Sequence, residues 1–426
     1  MKKAINPNGP GQAKTTYFAY IWHGFFLALT MSMIDLNTVF PALITELTGS
    51  KIIFGLLYTV MLGAPLMFNL LFSHHMKSKR YKKKYLLIGI YLRSLAFLGM
   101  ALSIRSFGAA NPGLAVSLLF VWVFFFSLSA GFAGIAYSDV LAKVIAGKQR
   151  VRLYAVKQFF ASVASLAGGF LVSKLFSQAN LSFPDNYAST LFIGFLGLAV
   201  ASLGFYLIRE PAAETLSETN QNLRAYIREV PAILKRDIRF RRFILVENLT
   251  SFSVMALPFY MVYAKEIFSL DSTYVGKYLL IQIAGTILSN LIWGTLAGRT
   301  DSRRVVRICI HMGAAVPIIV IFLVRTNADL FGLVFFLVGF IISGRQIGFE
   351  PYLLDIAPDQ RRTQYLGIRG SLNIFTIILP FMGGLLITWL GYIPVFLLVS
   401  LVMLMSGRMS GRKDPVLNDV SSHADT

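Results

Sequence analysis

The chain has 426 residues, of which 56% are hydrophobic and 14% are charged, and its mean hydropathy is +0.65. A chain this apolar cannot hide its hydrophobic side chains in one water-soluble core, so we expect lipid to surround part of it. The net charge of +20 comes from short basic patches between apolar stretches, and these form no continuous face for nucleic acid. The single cysteine, Cys309, excludes an intramolecular disulfide.

Many of the apolar stretches are long enough to cross a bilayer. A hydrocarbon core about 30 Å thick requires roughly 20 apolar residues per helix. Stretches of this kind have the approximate limits 16–41, 52–73, 85–105, 114–140, 153–176, 188–208, 243–265, 273–297, 305–325, 329–353, 364–389 and 391–408. The first stretch has no small-residue cleavage site, which favours a retained span over a removed signal peptide. The sequence therefore predicts an all-α membrane protein with twelve transmembrane helices.

The basic residues are distributed unequally between the two sides of the predicted membrane. If the N-terminus is cytoplasmic, the cytoplasmic segments hold 32 of the 40 Lys and Arg residues and the outer segments hold six. Arg93 and Arg345 lie within spans. Because cytoplasmic loops carry an excess of Lys and Arg, we predict a multi-pass protein of the plasma (inner) membrane with both termini in the cytoplasm.

One spaced motif occurs twice, 211 residues apart. Each copy contains an acid, Gln-Arg ten residues later, and Tyr four residues after the Arg. The copies are Asp139, Gln149, Arg150 and Tyr154, and Glu350, Gln360, Arg361 and Tyr365. Each copy follows a long apolar stretch and precedes another that contains a Gly-Gly pair. This repeat indicates two related halves of membrane-spanning helices.

The repeat and the polar central segment predict four regions. These are a first six-helix bundle (1–208), a cytoplasmic linker (209–242), a second six-helix bundle (243–410) and a cytoplasmic tail (411–426). Within the linker, apolar residues recur at helical spacing from Leu223 to Leu234, and basic residues occupy the other faces. This pattern predicts an amphipathic helix on the inner leaflet.

A short glycine and arginine motif follows the eighth predicted span. It resembles a loop signature of the major facilitator superfamily of secondary transporters in Gly294, Arg299, Arg303 and Arg304. Gly298 and Asp301 depart from that signature. Two similar halves, twelve predicted spans and a long central loop extend the resemblance over nearly the whole chain. The resemblance implies a transporter that exposes a small solute alternately to each side of the membrane, with proton coupling or exchange.

The resemblance also implies a role for the repeated motif. In this superfamily, acids at the inner ends of the fourth and tenth spans and arginines in the following loops close the cytoplasmic side. The corresponding inner gate charges are Asp139, Arg150, Glu350, Arg361 and, after the eighth span, Arg299. Simple solvation of an acid at a helix end is the alternative interpretation of the two carboxylates.

Ionisable side chains within spans are the candidates for binding substrate or a coupling ion. A charge near the bilayer centre costs roughly 2.5 to 3.5 kcal/mol on insertion scales, so each requires a reason. The resemblance places spans one, four, seven and ten around the central cavity, which favours Asp35 and Arg345. Arg93, His23 and Asn37 complete the candidate set, with His23 and Asn37 on a polar stripe that repeats every seven residues. His311 is a lone imidazole and is more typical of packing.

Two of these candidates have structural alternatives. Asp35 either titrates or binds a cation, or it pairs with Arg93 or a neighbouring helix. Arg345 replaces Gly134 of the first half under the 211-residue offset. Its guanidinium either binds a carboxylate or phosphate by a two-pronged contact, or forms a buried pair with Glu350 or Asp35.

Two other function classes fit the sequence less well. A membrane enzyme acting on lipids would require a cluster of acids, His or Ser at one interface, and no nucleophile motif or metal-ligand spacing is visible. A non-transporting sensor would require a signalling domain. We therefore expect a non-enzymatic, monomeric transporter in the lipid bilayer, with a small-molecule substrate for which Arg345 suggests an anion. We expect no cofactor, no metal and no nucleic-acid partner.

Overall fold

A computed structural model of the chain describes residues 10–77, 79–145, 147–212, 223–299, 302–358, 365, 368–370 and 372–411. These residues form helices joined by short turns, and the described part of the chain contains no β-strand. The helices of the first half are α1 (Pro10–Ser32), α2 (Val39–Leu47), α3 (Lys51–Lys77), α4 (Lys83–Phe107), α5 (Pro112–Val144), α6 (Gly147–Phe176) and α7 (Asp185–Tyr206).

A short helix in the central segment, α8 (Leu223–Arg236), precedes the second half. The helices of the second half are α9 (Ile238–Ser251), α10 (Phe259–Phe268), α11 (Ser272–Arg299), α12 (Ser302–Leu323), α13 (Ala328–Ile356), α14 (Leu379–Leu390) and α15 (Tyr392–Gly411). The side chains of Val230, Ile233 and Leu234 in α8 pack against the core of the second half. The four predicted regions and their boundaries stay predictions.

Nine helical segments of the described residues are long and apolar enough to cross a membrane. Two shorter apolar helices, Lys51–Pro65 and Leu379–Leu390, add to them, and the total of twelve spans stays a prediction. Many large apolar side chains point outward, among them Phe170, Leu203, Leu291 and Trp389. Such a surface is stable in lipid and not in water. The chain is therefore a multi-pass membrane protein.

The first span is interrupted, which differs from the single stretch predicted over 16–41. Between α1 and α2, Oδ1 of Asp35 accepts hydrogen bonds from the backbone N–H groups of Asn37 (2.9 Å) and Thr38 (3.0 Å) and from the Thr38 hydroxyl (2.9 Å). These local bonds satisfy backbone donors that a continuous helix would use, so α1 ends and α2 begins in a new direction. Asn37 consequently does not continue the seven-residue polar stripe of α1.

The seventh span is interrupted at a corresponding place. A 3₁₀ turn, Phe252–Met255, follows α9, and α10 begins directly after Pro258. Proline has no backbone N–H, and it therefore removes one bond from the helical ladder. The first and seventh spans thus share a discontinuity, as two related halves predict.

The two halves meet along two helix pairs. In one pair α3 packs on α14, and in the other α6 packs on α11. Glycines make the first approach possible. A Cβ atom added to Gly384 would overlap the carbonyl of Lys51, and one added to Gly55 would overlap the carbonyl of Pro380. Small residues therefore allow the backbones of the two halves to touch.

A glycine also sets the distance between α11 and α13 within the second half, because a Cβ atom on Gly285 would overlap the carbonyl of Phe336. We expect Gly285→Ala to push the two backbones apart and to lower stability by about 1 to 3 kcal/mol. The measurement is the thermal unfolding midpoint in detergent. Gly294→Ala in the same helix is the matched control, since its Cβ would meet nothing within 4 Å. A Gly285→Ala protein that melts with the control would contradict this packing.

Candidate functional site

A cavity of about 200 Å³ lies inside the first half, between α1, α4, α5, α6 and α7. Four of its lining side chains are polar, namely His23, Arg93, Tyr137 and Lys157, and the other lining residues are apolar or glycine. Two cations, an imidazole and a phenol thus share one small space. Its described lining includes no carboxylate. We call this space the basic cavity.

Arg93 extends from α4 into the basic cavity. Its Nε donates to the hydroxyl of Ser129 (3.3 Å), and its guanidinium carbon lies 5.0 Å from the centre of the Phe126 ring. The Ser129 hydroxyl in turn donates to the carbonyl of Phe126 (2.6 Å). The described contacts of Arg93 are therefore with neutral groups and do not include Asp35.

Lys157 reaches the same cavity from α6. Its Nζ donates to the hydroxyl of Tyr137 (2.9 Å) and lies 4.9 Å from the centre of that ring. The aliphatic stem of Lys157 passes over α1 at Gly24, where an added Cβ would overlap its Cγ. A glycine in α1 therefore leaves the space through which the lysine enters the bundle.

His23 forms the third polar wall. Its side chain is 5% exposed, and its ring lies 4.6 Å from Phe205 and 5.9 Å from Tyr137, measured between ring centres. Nδ1 of His23 is buried and has no hydrogen-bond partner among the described residues. A buried polar atom without a partner is unfavourable, so this atom marks a place where a ligand group can bind.

Asp35 lies apart from the basic cavity, in the contact between the halves. Besides the three bonds to its Oδ1, its Oδ2 accepts a hydrogen bond from Nε2 of Gln282 (2.9 Å) on α11. Asn37 contributes its backbone N–H to the same carboxylate. Of the interpretations that the sequence leaves open for Asp35, a bond to a neighbouring helix agrees with this geometry.

Arg345 occupies a different environment in the second half. Its Nη1 donates to the carbonyl of Thr250 (3.3 Å), and its guanidinium carbon lies 5.1 Å from the centre of the Phe349 ring. Nearby, Arg369 donates three hydrogen bonds to Glu247, at 2.9, 3.0 and 2.5 Å. The buried charges of the second half therefore include an acid paired with an arginine.

Asp139 belongs to a charge cluster at one end of the bundle. Its carboxylate binds Nζ of Lys82 (2.6 Å) and Nζ of Lys143 (2.9 Å), and Lys143 also binds Glu210 (2.7 Å). Burial lowers the pKa of Lys143, its hydrogen bonds to the two carboxylates raise that pKa, and the net effect is a rise. We call this end of the helices the basic end.

The other gate charges predicted from the sequence cannot be placed in the same way. The side chains of Arg150, Arg299 and Glu350 and the whole of Arg361 lie outside the described part of the chain. The proposed pairs of Asp139 with Arg150 and of Glu350 with Arg361 stay predictions.

Sequence reasoning missed three buried or half-buried charges, Lys157, Glu247 and Arg369. Each lies near the end of a predicted span, where a charged side chain is typical of the adjoining loop. All three nevertheless fall inside the predicted limits 153–176, 243–265 and 364–389. Attention to every charge within those limits would have found them.

The comparison with protein families decides the evolutionary relationship. A sequence profile described as Major Facilitator Superfamily matches residues 21–263 and 243–415. The chain belongs to the Major Facilitator Superfamily. The resemblance and the all-helical fold class inferred from the sequence are thereby confirmed.

Solved structures of transporters share the fold of this superfamily member. The nucleoside transporter NupG has a TM-score of 0.68 at 12% identity, with 93% of this chain and 98% of that chain covered. A POT family transporter in complex with 5-aminolevulinic acid has a TM-score of 0.65 at 12% identity, covering 95% and 97%. A D-xylose-proton symporter has a TM-score of 0.63 at 12% identity, also covering 95% and 97%. No curated protein sequence matches the chain.

The buried pair in the second half of this superfamily member leads to a stability prediction. Glu247→Gln leaves the largely buried Arg369 without its counter-charge, so we expect a loss of about 3 kcal/mol. Glu247→Gln/Arg369→Met removes both charges and is expected to recover at least half of that loss. Both are measured as thermal unfolding midpoints in detergent.

The exposed pair of Lys277 with Asp329 is the matched control. Asp329→Asn is expected to leave the thermal unfolding midpoint close to that of the unsubstituted protein, because water screens the lost attraction. The pairing would be contradicted if the losses of Glu247→Gln and Arg369→Met simply added in the double variant.

Proposed function

We propose that this protein is a secondary active transporter. It moves a small solute by alternating access, exposing the solute in turn to each side of the membrane, and is driven by proton coupling or exchange. Membership of the superfamily and the likeness to solved transporter structures support this proposal. In this function the protein changes no covalent bond of the solute and is not an enzyme.

The observation that carries the proposal is the position of the ion pairs between the halves. Lys51 Nζ lies 3.3 Å from Glu266 Oε2, and Lys265 pairs with Glu46. Both pairs join the first half to the second, and both lie at the end of the bundle opposite the basic end. We call this opposite end the far end.

Apolar and backbone contacts support the closure at the far end. The rings of Phe54 and Phe259 meet edge to face, with centres 4.9 Å apart. The Ser272 hydroxyl donates to the carbonyl of Phe176 (3.2 Å), from α11 to the last residue of α6. The two halves are therefore held together at the far end by several kinds of contact.

Two polar clusters at the basic end have contacts within one half. Asp139 binds two lysines of the first half, and the Tyr365 hydroxyl donates to Asp237 (2.7 Å) within the second. Ion pairs that join the halves at the far end are expected of one alternating-access state. The far-end ion pairs are partly exposed, so they can open at modest cost.

Orientation and gating complete the proposal. The excess of basic residues supports a cytoplasmic basic end, with both termini on that side of the plasma membrane. In the opposite state, Asp139 with Arg150, Glu350 with Arg361, and Arg299 close the basic end. We propose that the protein acts as a monomer, because a single chain supplies both halves of the proposed transport pathway.

A cross-link at the far end tests this function. In a Cys309→Ala background, Lys51→Cys and Glu266→Cys are joined with a flexible bifunctional thiosulfonate reagent and reconstituted into vesicles. A panel of labelled nucleosides, amino acids, sugars, carboxylates and phosphates is offered with a pH gradient and with counterflow. We expect at least one solute to accumulate, and we expect the cross-link to reduce its uptake by at least about tenfold, with recovery after reduction.

The pair Arg105 and Asp185 supplies the control, because it joins two helices of the same half (3.8 Å). Cross-linked Arg105→Cys/Asp185→Cys should transport normally, since alternation does not separate these positions. Uptake that continues with the far end fully cross-linked would contradict alternation. Absence of any solute movement under every gradient would contradict transport itself.

A further inference from the structure

We infer that the basic cavity binds the anionic group, a carboxylate or a phosphate, of the transported solute. The inference rests on the proposed function for the transport step, whereas anion binding can be measured without transport. Arg93 and Lys157 supply the positive charge, and His23 and Tyr137 supply further polar contacts. Arg345, on which the sequence first suggested an anion, lies outside this site.

The first reason is charge balance. Two partly buried cations line one half-open cavity, and their described hydrogen bonds go to the neutral hydroxyls of Ser129 and Tyr137. Cations removed from water are costly unless an anion faces them. In the second half Glu247 provides such an anion for Arg369, whereas the described lining of the basic cavity contains no acid. A bound anion would supply the missing charge.

The second reason is the number of donors that remain available. A guanidinium has five N–H donors and an ammonium has three. The described hydrogen bonds use one donor of Arg93 and one of Lys157. The nine-tenths buried imidazole of His23 adds Nδ1, which has no partner among the described residues. Carboxylate and phosphate oxygens are the acceptors that match such a set.

The third reason is the shape and composition of the cavity. Leu27, Ile90 and Leu198 add apolar wall to the same cavity, so a solute with a small apolar part fits better than a bare inorganic ion. Gly134 leaves open space, since a Cβ atom there would meet nothing within 4 Å. The cavity therefore has room for a small organic acid or phosphate ester.

The position of Lys157 connects this site to the proposed movement. Its helix, α6, packs on α11 of the other half. An anion held between Arg93 on α4 and Lys157 on α6 would therefore contact a helix that also packs against the other half. Asp35 is less suited to an anion, because its own negative charge already accepts four hydrogen bonds.

Charge-selective labelling tests the site without knowledge of the solute. Gly134→Cys is made in the Cys309→Ala background and treated in neutral detergent with anionic sulfonatoethyl or cationic trimethylammonioethyl methanethiosulfonate. Each rate is divided by the rate of the same reagent with mercaptoethanol. We expect the anionic reagent to be favoured by at least about tenfold, because unpaired cations concentrate anions in a cavity. Arg93→Gln/Lys157→Gln should reduce this preference to about twofold or less.

Gly113→Cys on the same helix, α5, is the matched control, because it is exposed and lies outside the cavity. Its reagent preference should not respond to the two Gln substitutions. The conservative pair Arg93→Lys/Lys157→Arg should keep the preference at Gly134→Cys and thereby separate charge from packing. An unchanged preference at Gly134→Cys after removal of both cations would overturn the inference.

The compound that occupies the cavity is identified by its ability to slow the labelling of Gly134→Cys. This measurement does not use the Gln variants. Inorganic phosphate and succinate are each added at about 10 mM, which would occupy a site with a dissociation constant of about 1 mM. A parallel sample contains phosphatidylglycerol in nanodiscs. Slower labelling with phosphate or succinate supports a solute anion. Slowing by phosphatidylglycerol alone would assign the cavity to a lipid headgroup and overturn the solute assignment. Absence of slowing by all three would overturn anion binding.

The outcomes separate this inference from the transport proposal. If charge-selective labelling and protection are observed but no solute crosses the vesicle membrane, the anion site stands and the transport proposal fails. If uptake is observed and the labelling shows no dependence on Arg93 and Lys157, transport stands and the anion site fails.

Discussion

The contact between the two halves at the far end is the interaction on which the arrangement of this protein depends. There α3 meets α14 and α6 meets α11 with glycines at the points of closest approach. Lipid is as apolar as the helix surfaces, so hydrophobic burial alone does little to join the halves. Close backbone packing and ion pairs that cross the interface supply the missing attraction, and the partly exposed ion pairs can also be released.

The interrupted first span contributes a polar contact to this interface, and the seventh span is interrupted as well. In the first span the carboxylate of Asp35 accepts hydrogen bonds from the backbone N–H groups of Asn37 and Thr38, just before α2, and from Gln282 of the other half. A charged residue at this depth is tolerated because the broken helix supplies N–H donors that would otherwise lack partners. The seventh span has its own interruption before Pro258. The two halves therefore share a discontinuity, although the polar groups that fill it differ.

The two halves differ in the partners of their buried charges. The second half pairs the buried Glu247 with Arg369, so this arginine has a counter-charge within its own half. The first half brings Arg93 and Lys157 to one cavity whose described lining contains no acid. Under the proposed anion binding, the first half would obtain its counter-charge from the solute, whereas the second half supplies one for Arg369 from its own chain.

The sequence by itself determined the helical membrane class and the superfamily, because hydrophobic length, motif spacing and loop charge can be read along the chain, and its repeated motif predicts two related halves. It also pointed to Arg93 and His23, since ionisable groups in apolar stretches are conspicuous. Only the tertiary structure decided that Lys157 enters the same cavity and that Asp35 bonds to Gln282. That hydrogen bond joins residues 247 positions apart, and no local pattern encodes such a partner. Which charges become paired depends on how helices pack, and packing is a property of the whole fold.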